Sequence, residues 1–521
     1  MKVLDQRLLL DTKFWEGKNV ELPKFKRDQL RIKSICFSAG RMAYAHTGDI
    51  MQDLLNEEPE IGAMVGVETY APKYVTELAA SNFLMTQLVF DNKKGVVLPK
   101  IQGAIDNVLL VDGSVNSLSW AKLLELARDP EVEFATINAP EGAYGVIYSG
   151  GEFAEPINPV LKKDMEEGTV NSDPAKWTAF ARERFKAGLK FAMVSCTNFS
   201  GNGHYTAATV KMVAKAWEEK GFAPKGFLTY LSDAKRFSFP NCMIDRIAVP
   251  PDQQTLKIME DLGIKSNMVV TEKARYWAVE DLFPAGRPPF EKAKGVFMED
   301  SYEEIKKYED MKLRILNMSH SVIAGLGVLL GYRGSYGIYR AMQDQELTEL
   351  INKVIEIVIK TIERPKKLDP HAFAEATIER LNNPNIPDDP MRIALNGSTK
   401  MLPRFMDTYF AGREKGISEE ELDVVLLPVA GFLRYTLGLD DRGEKYSLED
   451  DPRKELLEKC GQKAKIGGSA SIFRELIASQ EIMGKDLFTY GSTGERLEKM
   501  VTKMLSRQGA VREILREYTS K

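Results

Sequence analysis

Between about Arg31 and Tyr148, short apolar runs rich in β-branched residues alternate with stretches whose apolar positions recur every three or four residues. IKSICFSAG reads as a strand, AYAHTGDIMQDLLNEE as a helix, IGAMVGVETY as a strand and PKYVTELAASN as a helix. Strands separated by helix-sized connections build a parallel sheet, because a parallel pair cannot be joined by a tight turn. Two later runs, VEFATINAP and LKFAMVSCTN, end in small or polar residues. The carboxyl ends of strands in an open α/β sheet face a ligand crevice, so these ends are predicted to line a cofactor site.

The rhythm changes across residues 296–311, just after the proline- and glycine-dense LFPAGRPPFEKAKG. From Lys312 onward apolar residues keep a helical spacing, most clearly in ELTELINKVIEIVIKTIE and ELDVVLLPVAGFLRYTL. At 521 residues the chain exceeds what one hydrophobic core supports. The pattern predicts an α/β, Rossmann-type domain with a parallel sheet over residues 1–295, and a mainly α-helical domain over 296–521. The charged end ERLEKMVTKMLSRQGAVREILREYTSK is expected to form one amphipathic surface helix.

Composition adds exclusions. With 44% hydrophobic and 28% charged residues the chain has ample material for packed cores. Its 71 basic and 75 acidic side chains are spread along the sequence and leave a net charge of −4, so no footprint for a nucleic-acid partner is present. The amino-terminal stretch lacks a sustained apolar core and a small-residue cleavage site, and no apolar run is long enough for a bilayer; a soluble, cytoplasmic protein without a membrane partner is expected. Four scattered cysteines without a C-x-x-C pair, and only four histidines, predict buried free thiols and no metal.

Candidate chemistry begins at the turn Ser38-Ala39-Gly40-Arg41-Met42 after the first strand. Small residues there let the backbone approach a pyrophosphate, and the following helix offers unpaired N–H donors. Ser38, Gly40, Arg41 and Met42 are therefore candidate cofactor contacts. The spacing fits an ordinary strand-to-helix turn equally well, because a G-x-G-x-x-G match would need glycine at Ser38 and Ala43. Glu68 closes the next strand, where a dinucleotide fold holds ribose hydroxyls and where a solvated acid is also common. Asn138, at the end of VEFATIN, joins the cofactor candidates. The densest constellation is Lys312, Asn317 and His320, polar residues amid apolar ones that could share one broad helix face. Burial lowers the pKa of a lysine toward the range useful for proton transfer. The competing reading is a surface lysine beside a core histidine.

Lys312, Asn317 and His320 match the K-x-x-x-x-N-x-x-H pattern of the long-chain polyol-type dehydrogenases, the mannitol dehydrogenase family that includes the hexuronate reductases. Ser195-Cys196-Thr197-Asn198 with Asn202-Gly203 resembles the family's S-C-D-N…N-G element, and residues 239–247 resemble F-P-x-x-M-V-D-R-I. Asn383-Pro384 followed by residues 392–400 resembles N-P…R-I-A-x-D-G-S-x-K. The resemblance spans about residues 30–460. The sequence departs from it at Ser38, where the family has the first glycine of its turn, at Tyr44 in place of arginine, and at Thr197 in place of aspartate.

The resemblance implies a metal-independent dehydrogenase in which Lys312 is general acid and base, Asn198 and Asn317 donate to the reacting oxygen, and His320, Asp245, Arg392 and Lys400 surround a sugar-acid or polyol substrate. It implies NAD as cofactor, with Glu68 accepting ribose hydroxyls and repelling a 2′-phosphate. Asp245 also fits a structural pairing with Arg246 or Arg392. The turn Asn138-Ala139-Pro140-Glu141-Gly142 resembles the N-T-T-E-A-G turn of the tagaturonate reductases, and Arg392, Lys400 and Arg404 gather three basic residues in the helical half. Both features point to a keto-hexuronate, fructuronate or tagaturonate, reduced to mannonate or altronate. The alternative is a mannitol-type 2-dehydrogenase acting on fructose or another neutral ketose. A non-catalytic sensor on the same fold is disfavoured by the retention of Lys312, Asn198 and Asn317. The oligomeric state stays open.

Overall fold

The computed structural model describes residues 1–92, 96–114, 116–149 and 152–520. The chain divides into two compact units, Met1–Lys306 and Lys307–Lys521. The division falls beyond residue 295 because Val296–Glu299 is a strand paired in parallel with Tyr276–Glu280 of the first unit.

Six parallel strands organise the first unit: β1 (Ile32–Phe37), β2 (Ala63–Glu68), β3 (Ile105–Leu110), β4 (Phe134–Ile137), β5 (Phe191–Ser195) and β6 (Phe237–Ser238). They lie in the order β3-β2-β1-β4-β5-β6. Helices Thr47–Leu55, Leu118–Arg128, Asp173–Lys186 and Asn202–Glu219 occupy the crossovers. The chain therefore leaves β1 toward β2 on one side and returns to β4 on the other, which opens a crevice at the carboxyl ends of β1 and β4.

Alternation along each strand feeds two cores. Ile35, Phe37, Val65 and Val67 pack with Ile137, Trp177 and Val210, while Cys36, Met64, Phe134 and Val194 pack with Trp277 and Met298. Each such fully buried side chain contributes roughly 1.5–3 kcal/mol. A sheet covered on both faces explains why these strands read as continuous apolar runs.

The second unit is built of helices. Gln345–Thr361 starts at the cap Asp344, whose side chain accepts the Leu347 N–H, and Glu419–Tyr435 starts at the cap Ser418, whose side chain accepts the Glu421 N–H. π-helical turns occupy Leu313–Asn317, Ile323–Gly327 and Leu402–Met406. The charged C-terminal stretch departs from expectation. It forms two helices, Thr493–Leu505 and Ala510–Thr519, because Gly509 takes the left-handed φ of +83° between them. Leu497, Val501, Met504, Val511 and Leu515 are fully buried, so these helices are packed elements with one solvated face. Among the described residues, no helix is long and apolar enough to cross a membrane.

Candidate active site

The turn after β1 has the backbone that a glycine would adopt freely: Ser38 sits at φ +58°. The Gly40 N–H donates to Ser38 O (2.8 Å) and the Ala39 N–H to Val67 O (3.1 Å), which pins the turn to β2. A Cβ at Gly66 would lie 2.6 Å from the Ala39 Cβ, so only glycine allows this approach. Arg41, exposed, opens a one-turn helix and donates through Nε to Met268 O (3.3 Å), and Met42 is half-buried beside it. The helix breaks at His46, whose Nε2 lies 3.3 Å from Tyr276 O and whose burial holds the ring neutral, at about 3.

At the carboxyl end of β2, Oε1 of Glu68 accepts the N–H groups of Thr69 (2.9 Å) and Tyr70 (3.1 Å), which fixes the carboxylate at the crevice. At the end of β4, Asn138 donates from its backbone to Phe37 O (3.0 Å) and from Nδ2 to the Cys36 Sγ (3.3 Å). Its Oδ1 is buried and has no hydrogen-bond partner among the described residues. Ser38, Gly40, Glu68 and Asn138 thus gather where strand order reverses. A pinned turn, an orphaned amide oxygen and an oriented carboxylate fit a dinucleotide with a free ribose diol.

Asn198 lies exposed beyond β5. Its neighbour Thr197, where the family pattern has aspartate, is buried and donates to Ala139 O (2.9 Å) within a hydroxyl cluster of Tyr144, Ser195 and Thr206. The threonine therefore ties the β5 exit to the β4 exit without adding a charge. Asn202 is fully buried and bridges two segments: Nδ2 donates to Thr197 O (2.9 Å) and Cys242 O (2.7 Å), and Oδ1 accepts the Cys242 N–H (2.9 Å). Gly203 lets this helix start press on residues 239–241, since a Cβ there would come within 2.4 Å of Phe239 O. The sequence motif contains Asn202 and Gly203 without revealing this clamp. Asp245 is buried at the end of the strand Cys242–Asp245, and the adjacent Arg246 donates to Ala45 O (2.9 Å) and Asp49 (3.3 Å).

In the second unit Lys312 is buried at the end of helix Tyr302–Lys312, and the π-helical turn Leu313–Asn317 follows at once. In a π turn the hydrogen-bonded step is five residues, so Asn317 lies one turn above Lys312 where an ordinary α-helix would rotate it away. Nδ1 of His320 lies 3.1 Å from Leu316 O and must carry the proton there, because a carbonyl only accepts. Burial holds His320 at about 4, with Arg380 and Arg392 opposing the attraction of Asp388, so the ring is neutral and Nε2 is left as the acceptor nitrogen.

Arg392 forms a bidentate pair with Asp388 (both oxygens at 2.9 Å) although its side chain is 66% exposed. Lys400 donates to Ile393 O (2.6 Å) and to Leu395 O. Burial, followed by repulsion from Arg404 and Arg392, lowers Lys400 to about 8. Arg404 is largely buried, is lowered by that burial to about 10, and donates through Nη1 to Asn317 O (2.9 Å) and Ser321 Oγ (2.6 Å). Among the described residues no carboxylate forms an ion pair with Lys400 or Arg404. A small, half-open pocket beside Lys400 is lined by Ser321, Gly325, Gly397, Lys400, Phe432 and Tyr435. Cys36, Cys196, Cys242 and Cys460 are free and buried, and no group of three His, Cys, Asp or Glu among the described residues converges as a metal site.

An open sheet with a dinucleotide-type crevice, joined to a helical unit that buries a lysine one π turn before an asparagine, defines a two-unit dehydrogenase. Residues 304–505 match the mannitol dehydrogenase C-terminal domain. The chain is 30% identical to D-mannonate oxidoreductase of Thermotoga maritima over 99% of both chains. Its fold is similar to that of a D-sorbitol dehydrogenase in substrate-free form (TM-score 0.82, 22% identity, 98% of this chain and 99% of that one). It is similar also to Pseudomonas fluorescens mannitol 2-dehydrogenase in a ternary complex with NAD and D-mannitol (TM-score 0.77, 24% identity, 100% of both chains). The chain belongs to the mannitol dehydrogenase family of polyol and sugar-acid oxidoreductases.

Proposed function

We propose that this protein is an NAD(H)-dependent dehydrogenase that interconverts a keto-hexuronate, fructuronate or tagaturonate, and its aldonate, mannonate or altronate. The observation that carries the reading is the positive charge of Lys400 and Arg404, neither in an ion pair among the described residues: Arg404 and Arg392 repel Lys400, and Asp451 attracts it less strongly. An anionic substrate would supply the missing charge. The full-length relative named D-mannonate oxidoreductase supports the same substrate class.

The turn Ser38–Gly40, Glu68 and Asn138 would hold a nicotinamide dinucleotide, which would supply the hydride for ketone reduction and accept it in alcohol oxidation. Lys312 Nζ gives the matching proton to the ketone oxygen, or removes it from the alcohol. The side-chain amides of Asn198 and Asn317 donate to that oxygen and stabilise the negative charge that develops on it. As neutral donors they do not hold the lysine protonated. His320, neutral with its proton on Nδ1, offers Nε2 to a substrate hydroxyl, and Asp245 accepts from another. With fructuronate or tagaturonate and NADH, the purified protein is expected to form aldonate in step with NADH consumed. Failure to consume NADH with either ketone overturns the reading.

Two further outcomes follow from the charges. Lys400, lowered to about 8, is charged below that pH and neutral above it. The KM for a keto-hexuronate is therefore expected to rise severalfold between pH 7 and pH 9, while Lys400→Met flattens the rise; a KM constant across this range in the unaltered protein contradicts a role for Lys400. The carboxylate of Glu68, oriented at the ribose end, is expected to make kcat/KM for NADH at least about tenfold higher than for NADPH. A preference for NADPH removes Glu68 from the cofactor site.

A further inference from the structure

Arg404 places its charge where a neutral side chain would be cheaper. Taking a guanidinium out of water costs several kcal/mol unless hydrogen bonds or a counter-charge offset it. Among the described residues no carboxylate is paired with it. Its hydrogen bonds are internal: Nη1 donates to Asn317 O at 2.9 Å and Ser321 Oγ at 2.6 Å. Arg404 itself lies in the π-helical turn Leu402–Met406, and Asn317 closes the π-helical turn Leu313–Asn317. The bond thus joins two segments that each depart from the ordinary helix, and it lands on the backbone of the residue proposed to donate to the substrate oxygen. A π turn is a rare local insertion that an α-helix readily absorbs, so holding it in place requires an outside tie.

We propose that Arg404 is a positioning residue that locks the Leu313–Asn317 turn in the register that presents the Asn317 amide one turn from Lys312. The inference rests on the reading of Asn317 as a donor to the reacting oxygen. Without the tie, the Asn317 backbone relaxes toward α-helical spacing and its side chain swings off the lysine's face. An amide donor that is present but misaligned gives up its stabilisation of charge in the transition state, a loss of about 10²–10³ in kcat for comparable donors. Cofactor binding is left in place, and the effect of positioning is read in kcat, apart from any change in KM caused by the lost charge.

A double-mutant cycle tests this. Arg404→Ala is expected to lower kcat at saturating substrate about 100-fold, to raise KM for the uronate through the loss of its charge while NADH affinity stays within about twofold, and to regain about tenfold in kcat on addition of guanidinium ion, which can occupy the vacated space. In an Asn317→Ala background the same Arg404→Ala change is expected to cost less than about threefold in kcat, with no guanidinium rescue of kcat, because the group it positions is gone. Equal losses in both backgrounds, or an Arg404→Ala enzyme with unaltered kcat, overturn the inference while the proposed role of Asn317 stands. If Asn317→Ala alone keeps full turnover, the role of Asn317 fails and the inference fails with it. Arg404→Lys, which keeps the charge but shortens the donor, carries the same cycle if the alanine variant does not fold. Its loss must again vanish in the Asn317→Ala background.

Discussion

Lys312→Ala is expected to lower kcat by at least about 10³-fold while NADH binds as before. The side chain is buried at the end of Tyr302–Lys312, in the second unit, whereas the dinucleotide crevice is built from β1, β2 and β4 of the first. Its removal would take away the proposed proton-transfer group and leave the proposed cofactor contacts in place, and positioned acid–base groups contribute about 10²–10⁴ in rate. In the unaltered enzyme the oxidation rate at saturating substrate is expected to rise with pH, since the lysine accepts a proton only when neutral. His320 cannot produce that rise, because it is held at about 4 and is neutral throughout. Single-turnover kinetics and an NADH binding titration on the alanine variant decide the matter. Retention of more than a tenth of the turnover contradicts the role of Lys312.

The sheet was legible because burial on both faces writes strands as apolar runs and parallel connection writes helices between them. IKSICFSAG, IGAMVGVETY, VEFATINAP and LKFAMVSCTN supply β1, β2, β4 and β5. What stayed illegible are features set by single residues in three dimensions. One periodic charged pattern at the C-terminus covered two helices, since its helical spacing runs up to Gly509 and resumes after it, and only a left-handed φ there reveals the bend. The strand Val296–Glu299 is short and lies in the region where the composition shifts, so its pairing with Tyr276–Glu280 carries the first unit past residue 295.

In the site, residue types were legible and their supports were not. The five-residue step from Lys312 to Asn317 is itself the mark of a π turn, yet the apolar residues around it keep an ordinary helical rhythm. Ser38 shows the reverse case: the sequence lacks the expected glycine, while the backbone there still adopts the glycine-like φ of +58°. Asn202 and Arg404 act on backbone carbonyls distant in sequence, a kind of contact that leaves no periodic trace. Arg404 reads from sequence as a basic residue available to substrate; in the structure one of its nitrogens is committed to Asn317 and Ser321.

Fructuronate or tagaturonate is expected to be reduced about 10³-fold more efficiently than fructose. The three ketones offer the same reacting carbonyl, so the roles proposed for Lys312, Asn198 and Asn317 apply to them alike, and discrimination would come from the far end of the sugar. There, on the proposed reading, a carboxylate would meet Lys400 and Arg404; burial and then repulsion from Arg404 already lower Lys400 to about 8. An anion relieves that repulsion; the hydroxymethyl group of fructose leaves it in place. Sites built around a polar or charged partner reject analogues that lack it by several orders of magnitude, because the partner is left buried and unpaired. The measurement is kcat/KM for fructuronate, tagaturonate and fructose with NADH, side by side at pH 7, where Lys400 is charged. At least one uronate is expected to exceed fructose by about 10³-fold; fructose equal to or better than both uronates contradicts the uronate reading and makes the protein a polyol 2-dehydrogenase.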